Sequence, residues 1–410
     1  MVMENALFQT EKGLFPADWN LINLEDSFTL KARIGWQGLT TSEYMEVGEY
    51  LLVTGTDFKN GYIGWENCVF VERIRFDQDK GIQLKNGDVL VTKDGTIGKV
   101  AYVGFLPKPA TLNSGVFVLR PKSRNIDNRF FFYILMSFYF DEFLLKITAG
   151  STITHLYQKD FVNFNFICPP LSEQESIAEA LSDTDAWIES LEKLIAKKKL
   201  VKQGAMQKLL KPKEGWELRK LGEVIDVYRG GSPRPIQNFI TDKLDGINWI
   251  KIGDTSSYGK YIISANEKII AEGEKNSRRV YKGDFLLSNS MSFGRPYILK
   301  IDGCIHDGWL VLQNYKAFFE TEFLYYLLTS KYIIDQYKSK AAGSSVLNLN
   351  KELVSTVELI IPPLTAQTRI ATILSDMDAE LEALATQLEK ARKIKQGMMQ
   401  ELLTGRTRLV

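Results

Sequence analysis

Two glycine-containing loops hold most of the side chains in this sequence that could do chemistry. The first loop reads KDGTIGK over residues 93–99, and the second reads NSMSFGR over residues 289–295. Neither loop has the GxxxxGK(S/T) spacing with which a P-loop holds phosphate. Their cationic, amide and hydroxyl side chains instead suit hydrogen bonds to nucleic-acid base edges and phosphates, and glycine lets a backbone approach a ligand closely.

Candidate nucleic-acid contacts occur in these loops and in other turns of both halves of the chain. In the first half they are Arg33, Lys93, Thr96, Lys99, Asn113 and Ser114. In the second half they are Arg229, Arg234, Asn289, Ser290, Ser292, Arg295 and His306. For any single one of them, a turn residue or a solvated charge is the favoured interpretation. The loops as a whole favour binding, because homologous positions hold different polar residues, as expected of two readers of different sequences.

Catalytic and metal-binding motifs are missing from the sequence. A Pro-Pro pair follows Cys168 and another follows Ile361, whereas an amino-methyltransferase needs Asn, Asp or Ser before the prolines and an aromatic residue after them. The three cysteines form no CxxC pair, and two histidines are too few for a histidine-rich metal centre. We therefore predict a protein with no enzymatic activity, metal or cofactor of its own.

The charge balance is close to neutral, with 51 basic and 50 acidic residues. Residues 1–148 carry 16 basic and 18 acidic residues, and residues 215–341 carry 18 and 15. Neither segment has the strongly basic footprint of an independent DNA binder, so affinity should need a partner or a local patch. The longest apolar stretch, residues 130–140, is shorter than the roughly 20 residues of a membrane span, and no secretory signal is recognisable. We expect a cytoplasmic protein.

An internal repeat divides the chain into two similar halves. Residues 149–210 align without a gap on residues 342–403, with 26 identities in 62 pairs. The segments before these tails match only loosely, as in the Gly-Asp pairs at residues 87–88 and 283–284. Similar tails and divergent globular parts indicate one shared task for the tails and two different tasks for the globular parts.

The two tails are predicted to form long helices, at residues 172–210 and 365–403. Each follows a Pro-Pro pair that ends the preceding segment, and apolar or small residues then recur with the 3.5-residue period of a coiled-coil seam. Packing of the two helices on each other, antiparallel, is favoured; pairing of each with another protein is the alternative. The seam positions are Ile177, Leu181, Thr184, Ile188, Leu191 and Ile195, then Ile370, Leu374, Met377, Leu381, Leu384, Leu388 and Ala391.

The predicted fold class is α+β, with a pseudo-two-fold internal repeat. Two α/β domains, at residues 1–148 and 211–341, alternate with two helical regions, at residues 149–210 and 342–410. Short apolar runs bounded by turn residues predict strands in the globular parts. These runs cover residues 50–53, 88–92, 100–103 and 116–119, and amphipathic helices are predicted at residues 130–146 and 322–338.

The sequence resembles the specificity subunits of type I restriction–modification systems over nearly its whole length. The most specific feature is Pro-Pro-Leu-x-x-Gln at residues 169–174, which recurs at residues 362–367. Ile-Ala and a leucine follow in both halves. Near the C-terminus, the sequence Leu-Leu-Thr-Gly-Arg occupies residues 402–406. The motifs, their duplication and the architecture together carry the resemblance.

The resemblance implies a DNA-binding specificity subunit without catalysis or a cofactor of its own. The domains at residues 1–148 and 211–341 would be target recognition domains, each reading one half of a bipartite site in double-stranded DNA. The helices would set the spacing and dock two methyltransferase subunits, which use S-adenosylmethionine to modify adenine. Restriction (motor) subunits, which use ATP and Mg²⁺, would complete the enzyme.

The spacer helices implied by this resemblance contain a set of candidate subunit-docking residues. These are Gln174, Ile177, Leu181, Ile188, Gln367, Ile370, Leu374 and Leu381. The alternative function is a scaffold whose two domains bind proteins and whose helices form a rod. Near-neutral net charge fits that scaffold better than it fits a DNA reader.

Overall fold

The computed structural model divides into two compact units. Unit 1 comprises residues 1–191 and 387–410, and unit 2 comprises residues 192–386. The structure describes residues 7–10, 13–35, 38–148, 155–255, 259–289, 294–341 and 349–409. Within these ranges, no helix combines the length and apolarity needed to cross a membrane.

Unit 1 consists of short strands and helices followed by long-helix segments. Its strands are β1 (Leu7–Thr10), β2 (Gly13–Pro16), β3 (Asn20–Asn23), β4 (Phe28–Ala32), β5 (Tyr50–Val53), β6 (Phe58–Lys59), β7 (Tyr62–Ile63), β8 (Val69–Val71), β9 (Val89–Thr92), β10 (Val100–Tyr102), β11 (Ala110–Leu112), β12 (Val116–Pro121) and β13 (Asn165–Cys168). Its helices are α1 (Leu24–Ser27), α2 (Arg73–Asp77), α3 (Asn128–Leu135), α4 (Phe138–Thr148), α5 (Gln158–Phe161) and the first part of α6 (Leu171–Leu209).

A six-stranded sheet with the order β4-β12-β9-β10-β7-β6 is the central layer of unit 1. Alternate residues of its inner strands point to opposite faces. Leu90 and Val118 pack towards the smaller sheet β11-β5-β8, whereas Val91 and Leu119 pack towards α3 and α4. Since both faces are covered, all four residues of β9 are buried, which explains why this strand reads as a continuous apolar run.

The predicted helix over residues 130–146 is two helices in the structure. Asp127 caps α3 by accepting a hydrogen bond from the Phe130 amide at 2.8 Å. Between α3 and α4, the Ser137 hydroxyl donates to the Ile134 carbonyl at 2.6 Å. A serine that bonds to nearby backbone competes with continued helix, so the single-helix prediction was wrong at this point.

Unit 2 contains a similar succession of elements. Its strands are β14 (Glu217–Lys220), β15 (Asp226–Arg229), β16 (Ile240–Thr241), β17 (Ile247–Ile250), β18 (Tyr261–Ile262), β19 (Glu267–Ile269), β20 (Arg278–Val280), β21 (Phe285–Ser288), β22 (Pro296–Leu299), β23 (Gly303–Ile305), β24 (Trp309–Gln313) and β25 (Glu358–Ile361). Its helices are α7 (Leu221–Val224), α8 (Ala271–Glu274), α9 (Thr321–Leu328), α10 (Lys331–Ala341), α11 (Lys351–Ser355) and the first part of α12 (Leu364–Leu402).

The sheets of unit 2 repeat the topology of unit 1. The order β15-β24-β21-β22-β18 matches β4-β12-β9-β10-β7, including the parallel pairing of the last two strands. Unit 2 also has a second five-stranded sheet, with the order β16-β19-β17-β23-β20. The predicted helix at residues 322–338 is again two helices, α9 and α10. The predicted α+β class with an internal repeat is confirmed.

The globular folds extend beyond the predicted boundaries at residues 148 and 341. In unit 1, β13 pairs antiparallel with β3 near the start of the domain. In unit 2, β25 pairs in the same way with β14. Each domain therefore includes a strand that directly precedes its long helix. The pairing of this strand is long-range, so hydrophobic patterns in the sequence do not show it.

The long helices α6 and α12 confirm the predicted bounds to within one residue. In unit 1, Asp185 of α6 pairs with Lys395 of α12 at 2.6 Å, and the Thr184 hydroxyl lies 3.4 Å from the Met398 sulfur. The contacting residue numbers increase along α6 while they decrease along α12, so the two segments are antiparallel, as predicted.

The segments of α6 and α12 within unit 2 are also antiparallel. Lys198 pairs with Glu380 at 2.6 Å, and Lys202 pairs with Asp378. These partners again rise in number on α6 as they fall on α12. Each unit therefore contains its own antiparallel helix pair.

Candidate nucleic-acid interface

The first candidate loop is the hairpin between β9 and β10. The Lys93 amide donates to the Gly115 carbonyl at 2.8 Å, and the Leu156 amide donates to the Lys93 carbonyl at 2.7 Å. At the same place, the His155 imidazole hydrogen-bonds to the Asp94 carboxylate. Three segments that are distant in sequence therefore meet at Lys93 and Asp94.

The tip of this hairpin exposes two of the predicted contacts. The Thr92 hydroxyl donates to the Thr96 carbonyl at 2.6 Å and accepts from the Lys99 amide at 2.9 Å, which closes the turn. Gly98 has a φ of +78°, a left-handed conformation that glycine adopts readily. Thr96 and Lys99 are exposed, so a ligand can reach both side chains.

Lys93 is more enclosed than a solvated lysine. Its side chain is 15% exposed, and its Nζ lies 3.6 Å from the Asp94 carboxylate. The same Nζ lies 5.7 Å from the centre of the Phe117 ring. The loop therefore presents a partly neutralised cation and not an isolated positive charge.

Asn113 and Ser114 lie in the turn before β12, beside the hairpin, and both are half-buried. The Asn113 amide nitrogen donates to the Tyr44 hydroxyl at 2.7 Å. The Ser114 hydroxyl donates to the Asn113 amide oxygen at 3.0 Å. These bonds hold Asn113 in one orientation beside the loop.

Arg33 does not belong to the candidate interface. It is 2% exposed, and its guanidinium donates to the Leu112 carbonyl at 2.9 Å and to the Gln78 amide oxygen at 3.0 Å. Two further bonds go to the Arg75 carbonyl and the Thr111 hydroxyl. Burial lowers the pKa of Arg33. The predicted DNA contact by Arg33 is wrong, because its donors are used inside the domain.

The second candidate loop follows β21 and repeats the framework of the first. The Asn289 amide donates to the Gly308 carbonyl at 3.2 Å, and the Leu349 amide donates to the Asn289 carbonyl at 2.8 Å, as at Lys93. The Asn289 side chain is 5% exposed and donates to the Asp307 carbonyl at 2.9 Å. The structure gives Asn289 a bracing role, which leaves its amide little access to a base.

Two glycines let the chain after β15 lie against the turn between β23 and β24. The Gly230 amide donates to the Trp309 carbonyl at 2.8 Å, and the Gly231 amide donates to the Ile305 carbonyl at 3.2 Å. A Cβ at Gly230 would overlap the His306 carbonyl. The close approach therefore requires glycine at this position.

Asp307 is the centre of the second site. The Ser232 hydroxyl donates to its carboxylate at 2.8 Å, and the Arg234 guanidinium lies 3.5 Å from the other carboxylate oxygen. Arg229 donates to the Asp307 carbonyl at 3.4 Å. The Arg234 side chain is 82% exposed. An accessible cation and an accessible carboxylate therefore stand side by side.

A cavity of about 690 Å³ opens beside Asp307. Cationic, acidic, hydroxyl and aromatic side chains converge on it, which is typical of a ligand-binding surface. Arginine can bind guanine, and a carboxylate can accept from the cytosine amino group. The cavity is lined by Ser232, Pro233, Arg234, Pro235, Ile236, Trp249, Lys251, His306 and Asp307.

His306 lines this cavity but is held by backbone groups. Its Nδ1 lies 2.8 Å from the Gly308 amide, and its Nε2 lies 3.3 Å from the Ile252 amide. Burial lowers the pKa of His306. The hydrogen bond from Ser232 lowers the pKa of Asp307. At neutral pH the site therefore combines a neutral imidazole with a charged carboxylate.

The remaining predicted contacts of the second loop have different positions. Arg295 donates to the Gly259 carbonyl at 3.2 Å, and its guanidinium lies 5.1 Å from the centre of the Tyr297 ring. Ser290 and Ser292 lie outside the described residues. Arg295 is thus held at the base of the loop.

Several residues of the two sites were not predicted from the sequence. Asp94 and Asp307 are examples, and each faces a predicted cation, Lys93 or Arg234. Ser232 is another, and it donates to Asp307. The repeat held a signal for Asp307, since it aligns with the predicted contact Ser114 and directly follows the predicted contact His306. Ser232 gave no such signal, because its approach depends on the fold.

Neither cysteine chemistry nor a metal centre is found in the described ranges. Cys68, Cys168 and Cys304 are buried and free. Burial raises the pKa of Cys68 and Cys168 to about 12, so both remain protonated and unreactive at neutral pH. No group of three or more His, Cys, Asp or Glu side chains in these ranges could hold a metal ion.

The two helix glutamines anchor each long helix to its own globular domain. Gln174 is 1% exposed, donates to the Asn125 and Pro169 carbonyls at 3.0 and 2.8 Å, and accepts from the Asp127 amide at 2.8 Å. Gln367 makes the three equivalent bonds in unit 2. Their predicted docking role is wrong, because no polar atom is left for a partner.

The apolar helix residues predicted for subunit docking divide into buried and partly buried positions. Ile177, Leu181, Ile370 and Leu374 are between 0 and 4% exposed and lie in the domain cores. These four residues have no surface for a partner, so their docking assignment is also wrong. Ile188 and Leu381 are partly buried.

A repeated polar cluster joins the globular domains to both helices. In unit 1, the Tyr133 hydroxyl donates to Asp185 at 2.8 Å, and Lys395 pairs with the same carboxylate at 2.6 Å. The Lys395 ammonium also lies 5.5 Å from the centre of the Tyr133 ring. The equivalent cluster in unit 2 consists of Tyr326, Asp378 and Lys202.

This architecture matches a known protein family. The domain described as the type I restriction modification DNA specificity domain matches residues 16–200 and 213–392. The type I restriction enzyme MjaVIII specificity subunit of Methanocaldococcus jannaschii is 28% identical over 358 residues, which cover 81% of each chain.

Two solved structures share the fold. A chain from a study of complex assembly and conformational transition in a type I restriction–modification system has a TM-score of 0.60 and 18% identity, and the match covers 96% of this chain and 99% of that one. The S subunit of a type I system from M. genitalium has a TM-score of 0.58 and 17% identity, with 94% and 96% covered. With the specificity domain matched twice along its length, the chain belongs to the family of type I restriction–modification specificity subunits.

Proposed function

We propose that this chain recognises a bipartite DNA sequence for a type I restriction–modification enzyme, with one half-site read by each globular domain. The observation that carries the proposal is the repeated loop framework. The same backbone bonds hold Lys93 in unit 1 and Asn289 in unit 2, while the side chains presented around them differ. A common framework with different polar groups suits two readers of different base sequences.

The contacts that specify bases would come from the accessible groups of the two sites. In unit 1 these are Thr96 and Lys99 at the hairpin tip. In unit 2 they are Arg234 and Asp307 beside the cavity. Arg229, which is exposed, would contact phosphate, since arginine is a common ligand of phosphate oxygens.

The partners would be two methyltransferase subunits and, in the complete enzyme, restriction subunits. The methyltransferase subunits would supply S-adenosylmethionine chemistry on adenine, and the restriction subunits would use ATP and Mg²⁺. This chain would itself be non-catalytic and would hold no cofactor. Its near-neutral charge is consistent with phosphate contacts supplied largely by the partners.

Mapping of DNA methylation in the host genome with and without this gene tests the proposal. Deletion should remove adenine methylation at one bipartite motif, two short defined sequences separated by a fixed spacer, and the restored gene should return it. Unchanged methylation at every motif, in a strain that expresses a type I methyltransferase subunit, would overturn the proposed function. The protein-binding scaffold would then be the better explanation.

A further inference from the structure

Unit 2 has an open groove of about 720 Å³ where the end of α6 passes α10. Its floor is apolar and its rim carries lysines. Tyr332 on the α10 side is 40% exposed, so a partner can reach its ring. The groove is lined by Gln203, Met206, Gln207, Leu210, Lys211, Pro212, Thr329, Ser330, Lys331, Tyr332, Ile334, Asp335, Lys338 and Ile360.

The equivalent region of unit 1 is filled by the chain itself. Tyr139, the repeat counterpart of Tyr332, is only 5% exposed. The Phe15 ring lies 6.5 Å from it, centre to centre, and Phe15 is itself 1% exposed. Phe15 belongs to β2, which pairs with β1 in a hairpin. An aromatic side chain from a hairpin therefore covers in unit 1 the position that is open in unit 2.

The helix ends show the same difference. Leu403, after α12, is fully buried in unit 1, whereas its counterpart Leu210, after α6, is only partly buried. Pro16 lies so close to Gly405 that a Cβ on the glycine would overlap the proline ring. Pro212, the counterpart of Gly405, is exposed. The shared apolar surface is thus sealed in one unit and unsealed in the other.

Among the residues of unit 2 that the structure describes, no hairpin corresponds to β1 and β2. In unit 1, β1 and β2 precede the first strand of the domain, β3. In unit 2, only residues 210–216 separate α6 from the corresponding strand, β14. This linker is too short to form a hairpin like that of β1 and β2. We therefore expect the cover to come from another chain.

The rim of the groove indicates the charge of the missing cover. Lys211 and Lys338 are exposed and form no ion pair with any residue that the structure describes. Lys331 is paired with Asp335 at 2.6 Å. The unit 1 counterparts of the three lysines are Thr404, Phe138 and Leu145. A cover for unit 2 should therefore carry acidic residues beside its aromatic group, because opposite charges at a rim guide association.

We propose that the groove of unit 2 binds an acidic segment of a methyltransferase subunit and buries one of its aromatic side chains against Tyr332, in the way that Phe15 is buried against Tyr139. The inference rests on the proposed function, which requires such a partner. A second copy of this chain fits less well, because its Phe15 is already buried in its own unit 1.

The test uses the full-length chain and its purified methyltransferase subunit. The variant Tyr332→Ala with Lys338→Glu removes the aromatic wall and reverses one rim charge. The change should weaken binding of one of the two methyltransferase subunits at least tenfold, so that sedimentation velocity at limiting concentration shows a shift from two bound subunits towards one. The matched control is Leu145→Glu, at the unit 1 counterpart of Lys338, where Leu145 is 71% exposed. It should leave both subunits bound.

The outcomes separate the groove from the proposed function. If the wild-type chain binds two methyltransferase subunits and the groove variant binds both with unchanged affinity, the groove proposal is overturned and the proposed function stands. If the variant instead abolishes self-association of this chain, the occupant is a second copy and the proposal is again overturned. If the wild-type chain binds no methyltransferase subunit, both fail. Unchanged thermal unfolding of the variant shows that any loss of binding is not a loss of fold.

Discussion

The adjacent charges of Arg234 and Asp307 match the two halves of one base pair. In the major groove, arginine binds the O6 and N7 of guanine, and a carboxylate accepts from the N4 amino group of cytosine. The two side chains are 3.5 Å apart and both reach the cavity. A carboxylate at a DNA surface would be repelled by phosphates, so under the proposed function we expect Asp307 to contact a base.

We expect Asp307→Ala to relax specificity at one G·C position in the half-site that unit 2 reads. Loss of a base contact costs about 1–3 kcal/mol against the cognate sequence. Binding of the assembled methyltransferase to a panel of duplexes, each with one base pair replaced, measures the effect. Equal weakening on every duplex would assign Asp307 to folding of the loop. Ser114→Ala, at the counterpart position in unit 1, should alter only the other half-site.

The two anchoring glutamines should matter for stability and not for partner binding. Gln367→Ala leaves the Glu320 amide and the Phe318 and Pro362 carbonyls without their partner. Each unsatisfied buried group costs about 1–3 kcal/mol. The free energy of unfolding should therefore fall by at least the cost of one such group. Urea denaturation checks this, with the exposed Gln396→Ala on the same helix as control. A loss no larger than that of the control would contradict the anchoring role.

At the scale of elements, the sequence predicts the helices better than the sheets. The Pro-Pro pairs and the heptad pattern located α6 and α12 to within one residue, because both signals are local. The pairing of β13 with β3 joins residues about 140 apart, as at Phe166 and Ile22, and no local pattern contains that information. The same limit explains Gln174: its repetition marked it as important, but only the fold shows that it is buried.

The cluster of Tyr133, Asp185 and Lys395 should hold the two helices and the domain in register. The Asp185 and Lys395 side chains are 16 and 17% exposed, and hydrogen bonds to charged groups contribute about 1.5–3 kcal/mol. Asp185→Asn should lower the free energy of unfolding by about that amount, since Lys395 loses its partner. Chemical denaturation of Asp185→Asn, Lys395→Met and the double variant measures their coupling.

A matched control for this cluster lies on the same helix α12. Glu389 and Lys393 form an ion pair at 2.8 Å, but their side chains are 69 and 73% exposed. Water and salt screen such a pair, so Glu389→Gln should change stability little. If Asp185→Asn were equally silent, the register role would be contradicted. Asp378→Asn in unit 2 should repeat the effect of Asp185→Asn.

At the scale of the whole molecule, a framework that recurs in both units carries loops that differ between the units. The anchoring glutamines, the tyrosine–aspartate–lysine clusters and the helix bounds recur at a shift of 193 residues. Unit 1 alone has Arg408 and Trp19 on the buried carboxylate of Glu173, because the aligned residue in unit 2 is Ala366. The terminal segments are therefore fitted to unit 1, whereas the reading loops are free to diverge.

This separation predicts that recognition domains can be exchanged one at a time. Replacing residues 24–164 with the matching segment of a relative keeps the β3–β13 pair, the Glu173 site and both long helices. The methylated motif should then change in one half, while the other half and the adenine chemistry stay as before. Replacing residues 221–357 should change only the opposite half. Methylation mapping of both hybrids distinguishes the outcomes. Each framework carries its own reading loops, so one exchange should change one half of the motif. A change in both halves from one exchange would mean that the two half-sites are not read independently.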